Sequence, residues 1–184
     1  MNARIPAIDP VTAAGQTAQL FGAVKAKLGL VPNLMRTFAQ SPAVLQAYLG
    51  FGAALDATSL PGRLREQLAL AVGEANGCDY CLSAHSLLGG RAGLTPGDIE
   101  AARRGGAADP KEAALLKFAR AVVETRGQVS DEALAAVRAA GANDAEIIET
   151  VAFTALNILT NYTNNVARTT IDFPRAKPLA VAVA

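Results

Sequence analysis

The segment Gly77-Cys-Asp-Tyr-Cys-Leu-Ser-Ala-His85 contains both cysteines and the single histidine of this 184-residue chain. In a helix, Cys81 and His85 are one turn apart, and Cys78 lies one turn before Cys81. One helix face would therefore carry both thiols and the only imidazole of the chain. This spacing predicts a dithiol redox site.

The residues around this segment favour reactive thiols. Gly77 is expected to end a helix that starts at Pro61, so that a new helix begins near Cys78. Thiols in a first helical turn face unpaired backbone N–H groups and the positive end of the helix dipole, which favours the thiolate. His85 can accept a thiol proton or stabilise a thiolate as imidazolium. In a reducing cytoplasm a lone Cys-x-x-Cys is more often catalytic or metal-binding than structural.

Two glutamates before the cysteines are candidates for a proton relay. Glu66 interrupts the apolar stretch 64–72, and a carboxylate there is able to orient His85 and take part in proton transfer. Its alternative interpretation is an ordinary solvated helix residue. Glu74, four residues before Cys78, competes for the same role, with a polar position near a helix end as its alternative.

Helix-start signals recur along the chain, with Ser, Thr, Asp or Asn before a proline or three residues before an acidic side chain. Strands with period-2 alternation between turn dipeptides are absent from the sequence. We therefore predict an all-α fold, with a single helical domain at residues 1–171 and an extended C-terminal tail at 172–184 that contains two prolines. The predicted helices are 42–55, 61–76, one from Thr95-Pro96 onward, 111–125, 131–140 and 144 to about 168.

A degenerate internal repeat is also predicted. Glu66 precedes the two cysteines and the histidine by twelve, fifteen and nineteen residues, and Glu149 precedes Asn161, Asn164 and Arg168 by the same intervals. The second copy would have lost its thiols. Coincidence among alanine-rich helices is the alternative.

Composition narrows the choice of partners. With 17 basic and 16 acidic residues the net charge is +1, without a basic stripe or an acidic tail, which indicates that neither nucleic acid nor a membrane surface is the main partner. No signal-peptide pattern and no run of about 18 apolar residues is present, so we expect a soluble cytoplasmic protein. Neither the ligands for a metal, haem, flavin or nicotinamide nor a glycine-rich phosphate turn is evident, so no cofactor is predicted.

Hydrophobic residues make up 51% of the chain, more than a lone domain of this size is expected to bury. We therefore expect a homo-oligomer with the helix 144–168 near a subunit contact. Three asparagines, Asn157, Asn161 and Asn164, interrupt this apolar helix. Hydrogen bonding in the interior or at an interface is favoured over pocket lining for them.

The run Glu66-Gln-Leu-Ala-Leu-Ala-Val-Gly-Glu-Ala-Asn-Gly-Cys-Asp-Tyr-Cys-Leu-Ser-Ala-His85 resembles the signature of the AhpD-like alkylhydroperoxidases of the carboxymuconolactone decarboxylase family. Val31-Pro-Asn-Leu-Met-Arg36 and residues 156–164 resemble the peroxidase-related branch. The resemblance covers roughly residues 20 to 170. It implies an all-helical fold, assembly as a trimer, hexamer or dimer, and reduction of a hydroperoxide at the expense of an external dithiol.

The resemblance also implies residue roles. Cys81 would be the peroxidatic thiol and Cys78 the resolving thiol, with His85 and Glu66 as the proton relay and Glu74 as a secondary candidate. In the best-studied type of this family a histidine lies between the cysteines, whereas this chain has Tyr80 there. We therefore keep Tyr80 as a secondary site residue and expect a simpler relay or a lower activity.

Four alternatives remain open. Cys78, Cys81, His85 and Glu66 would supply a zinc site, although structural zinc usually takes four Cys or His ligands. A thioredoxin-like oxidoreductase would need a βαβ setting around its Cys-x-x-Cys. The non-redox decarboxylase that names the family generally lacks the cysteine pair. The last alternative is a helical oligomer with a redox-sensing or idle dithiol.

Overall fold

A computed structural model describes residues 3–180, and these residues form nine α-helices and no strand. The all-α prediction is confirmed. The helices are α1 (Gly15–Leu28), α2 (Asn33–Phe38), α3 (Pro42–Leu55), α4 (Gly62–Ala75), α5 (Asp79–Arg91), α6 (Pro96–Arg103), α7 (Pro110–Thr125), α8 (Asp131–Ala139) and α9 (Asp144–Ala167).

Side-chain caps explain why most of these helices begin where the sequence indicates. Thr95 and Asp98 form a reciprocal capping box at the start of α6, and Asn143 and Glu146 form another at the start of α9. Each box satisfies backbone N–H groups that have no partner within the helix. Helices α1 and α2, which were not predicted, start after Ala14 and Pro32, and neither N-cap makes a side-chain hydrogen bond. The N-caps of α3 and α4 make none either.

Helix α4 is the central element of the main core. It packs against α5, α6, α7 and α9, and Leu68, Leu70 and Val72 are fully buried. No helix within residues 3–180 combines the length and the apolar character that a bilayer-crossing segment needs. Helix α4 therefore contacts other helices on several of its sides.

A second, smaller apolar cluster joins α1, α2 and α3 to the start of α5. It includes Phe21, Phe38 and Leu45 together with Cys78 and Cys81. The two thiols therefore lie on the side of α5 that faces α1–α3, while Leu82 of the same helix belongs to the main core. This arrangement places the dithiol at the junction of the two clusters.

The chain after α9 runs without a helix through the described residues and packs along α5 and α6. Ala176 N donates to Ser83 Oγ (3.1 Å), and Arg103 Nη1 donates to the Lys177 carbonyl (2.7 Å). Residues 1–2 and 181–184, which include the apolar end of the predicted tail, lie outside the described residues. The division into a domain at 1–171 and a tail at 172–184 stays a prediction.

The two stretches of the predicted repeat differ in structure. The first spans α4 and α5 with a break at Gly77, whereas the second lies on the single helix α9 and its C-cap, Arg168. Glu149 accepts hydrogen bonds from Ser59 Oγ (2.6 Å) and Ser59 N (3.1 Å). The repeat therefore remains a pattern of spacing only.

Candidate active site

A Schellman turn brings the cysteine pair to the start of α5. Cys78 N donates to the Gly73 carbonyl (2.9 Å) and Gly77 N to the Glu74 carbonyl (3.1 Å), with Gly77 in the left-handed region at φ 58°. Glycine adopts this conformation without the steric cost of a side chain. Cys78 then becomes the N-cap of α5, and its sulfur accepts from Cys81 N (3.3 Å).

The two thiols are free, buried and in contact. Cys78 is fully buried, Cys81 is 2% exposed, and their sulfur atoms are 2.7 Å apart. Asn164 Nδ2 lies 3.3 Å from Cys81 Sγ, and Thr160 Oγ1 lies 4.0 Å from it. Residues this close are able to form a disulfide without a large backbone movement.

The two thiols have different pKa values because they share one proton. The hydrogen bond from the Cys78 thiol lowers the pKa of Cys81 to about 6; burial opposes this shift, while the charge of His85 and the amides of Asn164 and Asn161 reinforce it. The same hydrogen bond, together with burial, raises the pKa of Cys78. The negative charge therefore resides on Cys81 and the proton on Cys78.

Glu66 holds the imidazole beside the thiols. His85 Nδ1 and Glu66 Oε2 are 2.7 Å apart, and both side chains are about three-quarters buried. Burial lowers the pKa of His85, but the charge and hydrogen bond of Glu66, aided by the charge of Cys81, outweigh it and raise the pKa overall. The raised pKa of His85 favours the imidazolium, whose charge in turn favours the thiolate of Cys81.

The other two predicted site residues have hydrogen-bond partners outside this group, although the Tyr80 side chain also lines the cavity beside Cys81. Glu74 Oε2 accepts from Arg103 Nε (2.6 Å), a buried arginine of α6. The Tyr80 hydroxyl accepts from Leu34 N (3.1 Å), and the ring meets Phe173 edge-on at 5.6 Å. The structure therefore brings Cys78, Cys81, His85 and Glu66 together, while the Glu74 carboxylate and the Tyr80 hydroxyl have partners outside this group.

A cavity of about 490 Å³ opens beside Cys81 and His85. Helices α1, α2, α3, α4, α5 and α9 all contribute to its wall, which is mostly apolar. The ion pairs Lys27–Asp56 (3.0 Å) and Arg65–Asp56 (2.9 Å) also border it. A cavity of this size and character suits a small organic molecule.

Sequence reasoning did not identify Tyr48 as a cavity residue. Tyr48 lines the cavity and stacks on Phe38 with ring centroids 5.0 Å apart. Burial, aided by the charges of Cys81 and Glu66, raises the pKa of Tyr48 to about 12. Nothing in its sequence position on α3 distinguishes it from a core aromatic.

The asparagines of α9 are interior residues, and Asn157 also lines the cavity. Their spacing of four and then three residues on an apolar helix was the available signal, since it puts them on one face. In the described part of the chain, no three side chains of His, Cys, Asp or Glu are grouped so that they could hold a metal ion.

The fold and the site define an all-helical class of protein with a buried Cys-x-x-Cys pair at a helix N-terminus, next to a His–Glu pair. Residues 42–125, which span α3 to α7 and include all four of these residues, match the model of the carboxymuconolactone decarboxylase family. The curated proteins searched contain no match to the chain. Residues 42–125 are therefore similar to the carboxymuconolactone decarboxylase family, and the chain as a whole has the helical fold of AhpD-like, peroxidase-related proteins.

Several solved structures share this fold. A peroxidase-related protein from Ralstonia eutropha JMP134, with an alkylhydroperoxidase AhpD core, is 25% identical and covers 92% of each chain with a TM-score of 0.82. A peroxidase-related protein from Silicibacter sp. TM1040 is 24% identical (91% of this chain, 92% of that one, TM-score 0.77). The debrominase Bmp8 is also 24% identical, covers 94% of each chain and has a TM-score of 0.78.

Proposed function

We propose that the chain is a thiol-dependent peroxidase that reduces organic hydroperoxides through a dithiol–disulfide cycle. One observation carries the proposal: the Cys81 thiol, whose pKa is lowered to about 6, touches the Cys78 sulfur at 2.7 Å and lies beside a His–Glu pair at a cavity wall. Catalytic thiols need thiolate character, access for substrate and a partner thiol for resolution. This site supplies all three.

In the proposed cycle the Cys81 thiolate attacks the terminal oxygen of a hydroperoxide, and the O–O bond breaks. Cys81 becomes a sulfenic acid, and the leaving alkoxide takes a proton to become an alcohol. The Cys78 thiol then attacks the Cys81 sulfur, so that a disulfide forms and water leaves. An external dithiol restores both thiols by exchange and is itself oxidised to a disulfide.

His85 is the proposed proton donor to the alkoxide. Because Glu66 occupies Nδ1 at 2.7 Å, the ring presents Nε2 to the rest of the site, and His85 borders the cavity. Glu66 is a positioning residue in this scheme, since it holds the ring and keeps it protonated to a higher pH. No cofactor is required for these steps.

Peroxide consumption tests the proposal directly. Wild-type protein should consume cumene hydroperoxide when dithiothreitol, dihydrolipoamide or a reduced dithiol protein is supplied, and Cys81→Ser should not. Glu74→Gln is the matched control, because Glu74 lies on the same helix as Glu66 but pairs with Arg103. A folded wild-type protein that consumes no hydroperoxide with any dithiol would refute the peroxidase assignment.

Reductive dehalogenation is a second candidate, supported by the cavity. A structure of a Bmp8 variant contains 2,3,4-tribromopyrrole, and the present cavity includes aromatic side chains, among them Tyr48 and Phe153. Here the Cys81 thiolate would take up the halogen, the ring carbon would take a proton, and Cys78 would expel bromide as the disulfide forms. Bromide release from 2,3,4-tribromopyrrole in the presence of dithiothreitol distinguishes this reaction from peroxide reduction.

We also propose a homo-oligomer and a cytoplasmic location. The outer face of α9 exposes five apolar side chains that lie three, eight, three and four residues apart, which keeps them on one stripe suited to packing against another helix: Ile148, Val151, Leu159, Tyr162 and Val166. A pair of free thiols agrees with a reducing compartment. Light scattering that finds a monomer at micromolar concentration would overturn the assembly proposal.

A further inference from the structure

We infer that the side-chain amides of Asn164 and Asn161 on α9 form a donor site for the Cys81 sulfur, which stabilises its thiolate and then the oxygen of its oxidised form. The thiolate part stands on the contact between Asn164 and Cys81 and on the unpartnered amide of Asn161, and the oxidised-state part rests on the proposed peroxidase function. Neutral donors of this kind would act on the reacting atom from a different helix than those that carry His85 and Glu66.

Asn164 makes the direct contact. Its residue is 3% exposed, and Nδ2 lies 3.3 Å from Cys81 Sγ. Its Oδ1 is buried without a hydrogen-bond partner among the residues that the structure describes. A purely structural buried asparagine is normally placed to satisfy both ends of its amide, whereas this one satisfies only the end that faces the thiol.

Asn161 is held so that its donor remains available. The residue is fully buried, and its Oδ1 accepts from Asn76 Nδ2 (2.9 Å), which fixes the direction of the amide. Its Nδ2 has no acceptor in the described part of the chain, yet the Asn161 amide contributes to the low pKa of Cys81. A buried N–H without an acceptor costs free energy, and such groups call for a functional explanation.

The chemistry of the amide suits both states of the sulfur. An amide N–H stays a donor at every pH of interest, so it stabilises a thiolate without exchanging a proton. When Cys81 is oxidised, the new oxygen brings lone pairs that the unpaired Asn161 Nδ2 is able to satisfy. The pair would then work as an oxyanion hole does, with fixed donors directed at the place where charge develops.

The effect of the amides on the Cys81 thiolate must be distinguished from the effect of nearby ionisable groups. These groups are Cys78, His85, Glu66 behind His85, Tyr48 and Tyr80. The pKa values of both tyrosines are raised, so these side chains stay neutral through the range in which Cys81 titrates. The acid side of the reactivity profile therefore reports on the cysteines and His85.

The test is the pH dependence of alkylation by iodoacetamide for Asn164→Leu and Asn161→Leu, with Thr163→Ala as the matched control. Thr163 precedes Asn164 on α9, and its hydroxyl donates to the Leu159 carbonyl (2.8 Å). Each Leu variant should raise the apparent pKa of Cys81 by about one unit, and alkylation below the wild-type pKa should slow about ten-fold. Rates well above the pKa should converge, and the control should match wild type.

A measurement on the wild-type protein guards against misfolded variants. In ¹⁵N-labelled protein, the side-chain NH₂ signals of Asn164 and Asn161 should shift with the titration of Cys81. Asn165, whose Nδ2 donates to the Asn76 carbonyl (3.0 Å), serves as the reference. Asparagine signals that do not follow the thiol, or folded Leu variants whose alkylation profiles superimpose on wild type, would overturn the inference.

Failure of the amide site and failure of the peroxidase are distinguishable. If the asparagine signals and alkylation profiles behave as expected but no hydroperoxide is consumed, the peroxidase assignment fails and the thiolate site stands. If wild type is a peroxidase but the Leu variants keep its alkylation profile, the amide site fails and the peroxidase stands.

Discussion

Helices α4 and α5 form one wall of the site, and helix α9 forms another. Side chains from both walls meet at Cys81 Sγ, but the two sets of side chains differ in chemistry. The first wall supplies two ionisable side chains, His85 and Glu66, which are hydrogen-bonded to each other. The second supplies Asn164 and Thr160, which are neutral at every pH of interest. The difference teaches that both walls stabilise the thiolate of Cys81, whereas only the α4–α5 wall holds groups that can also exchange a proton.

The opposite pKa shifts of Cys81 and His85 define a pH window. The thiolate forms as pH rises through about 6, the pKa of Cys81. The imidazolium is lost only as pH rises through the raised pKa of His85. Between these two values both charged forms coexist, and this is the range in which the proposed reaction should be fastest.

The largest expected effect tests which of the two thiols reacts with the hydroperoxide. Cys81→Ser should abolish hydroperoxide reduction, whereas Cys78→Ser should react once and retain a sulfenic acid on Cys81, because no second thiol resolves it. Dimedone labelling followed by mass spectrometry identifies the modified residue. Labelling of Cys78 in Cys81→Ser, with none on Cys81 in the other variant, would reverse the two roles.

The next effect concerns the influence of His85, on the α4–α5 wall, on the pH dependence of alkylation. Wild-type alkylation should be half-maximal near pH 6 rather than near the value of about 8.5 typical of a free cysteine. His85→Gln removes the positive charge that favours the thiolate, so the profile should move to higher pH and the rate near pH 6 should fall about ten-fold. Rates should converge in alkaline solution. Superimposed profiles would leave His85 as a packing residue.

A smaller effect compares two carboxylates of α4. Glu66→Gln should slow alkylation near pH 6 about three-fold, because a neutral partner lets His85 lose its proton at lower pH. Glu74→Gln should leave alkylation unchanged but lower the free energy of unfolding by about 1–3 kcal/mol, because buried Arg103 loses its carboxylate. Alkylation profiles and urea denaturation of both variants check this pair. An alkylation defect in Glu74→Gln would contradict it.

Substitutions on the outer face of α9 should have the smallest effect on the reactivity of the thiol. Ile148→Asp and Val166→Asp place charges on the exposed apolar stripe, which should dissociate the proposed oligomer. Because these side chains point away from the asparagines, the alkylation profile should stay that of wild type. Light scattering reports the mass and iodoacetamide the reactivity. A protein that keeps its assembly state would show that another surface makes the contact.

The helices from α3 onward were predictable because their starts are encoded locally. Proline, capping serine, threonine, aspartate or asparagine, and the acidic partner three residues later all act within one turn of chain. Helices α1 and α2 were not predicted. Their N-caps make no side-chain hydrogen bond, and those of α3 and α4 make none either, but α3 and α4 were predicted from the apolar-periodic runs that follow Ser41 and Pro61. The position of α1 and α2 depends on the apolar cluster that they form with α3 and the start of α5.

The sequence by itself determined the dithiol and its histidine, because three residues within one helix keep their relative positions wherever that helix packs. It left the choice between Glu66 and Glu74 open. Eight residues on a helix rotate by about 80° and advance about 12 Å, so the two carboxylates meet different neighbours. Only the packing of α5 against one face of α4 and α6 against another decided that Glu66 meets His85 and Glu74 meets Arg103. The amides of α9 reached Cys81 for the same reason, since their contact joins residues 83 positions apart in the chain.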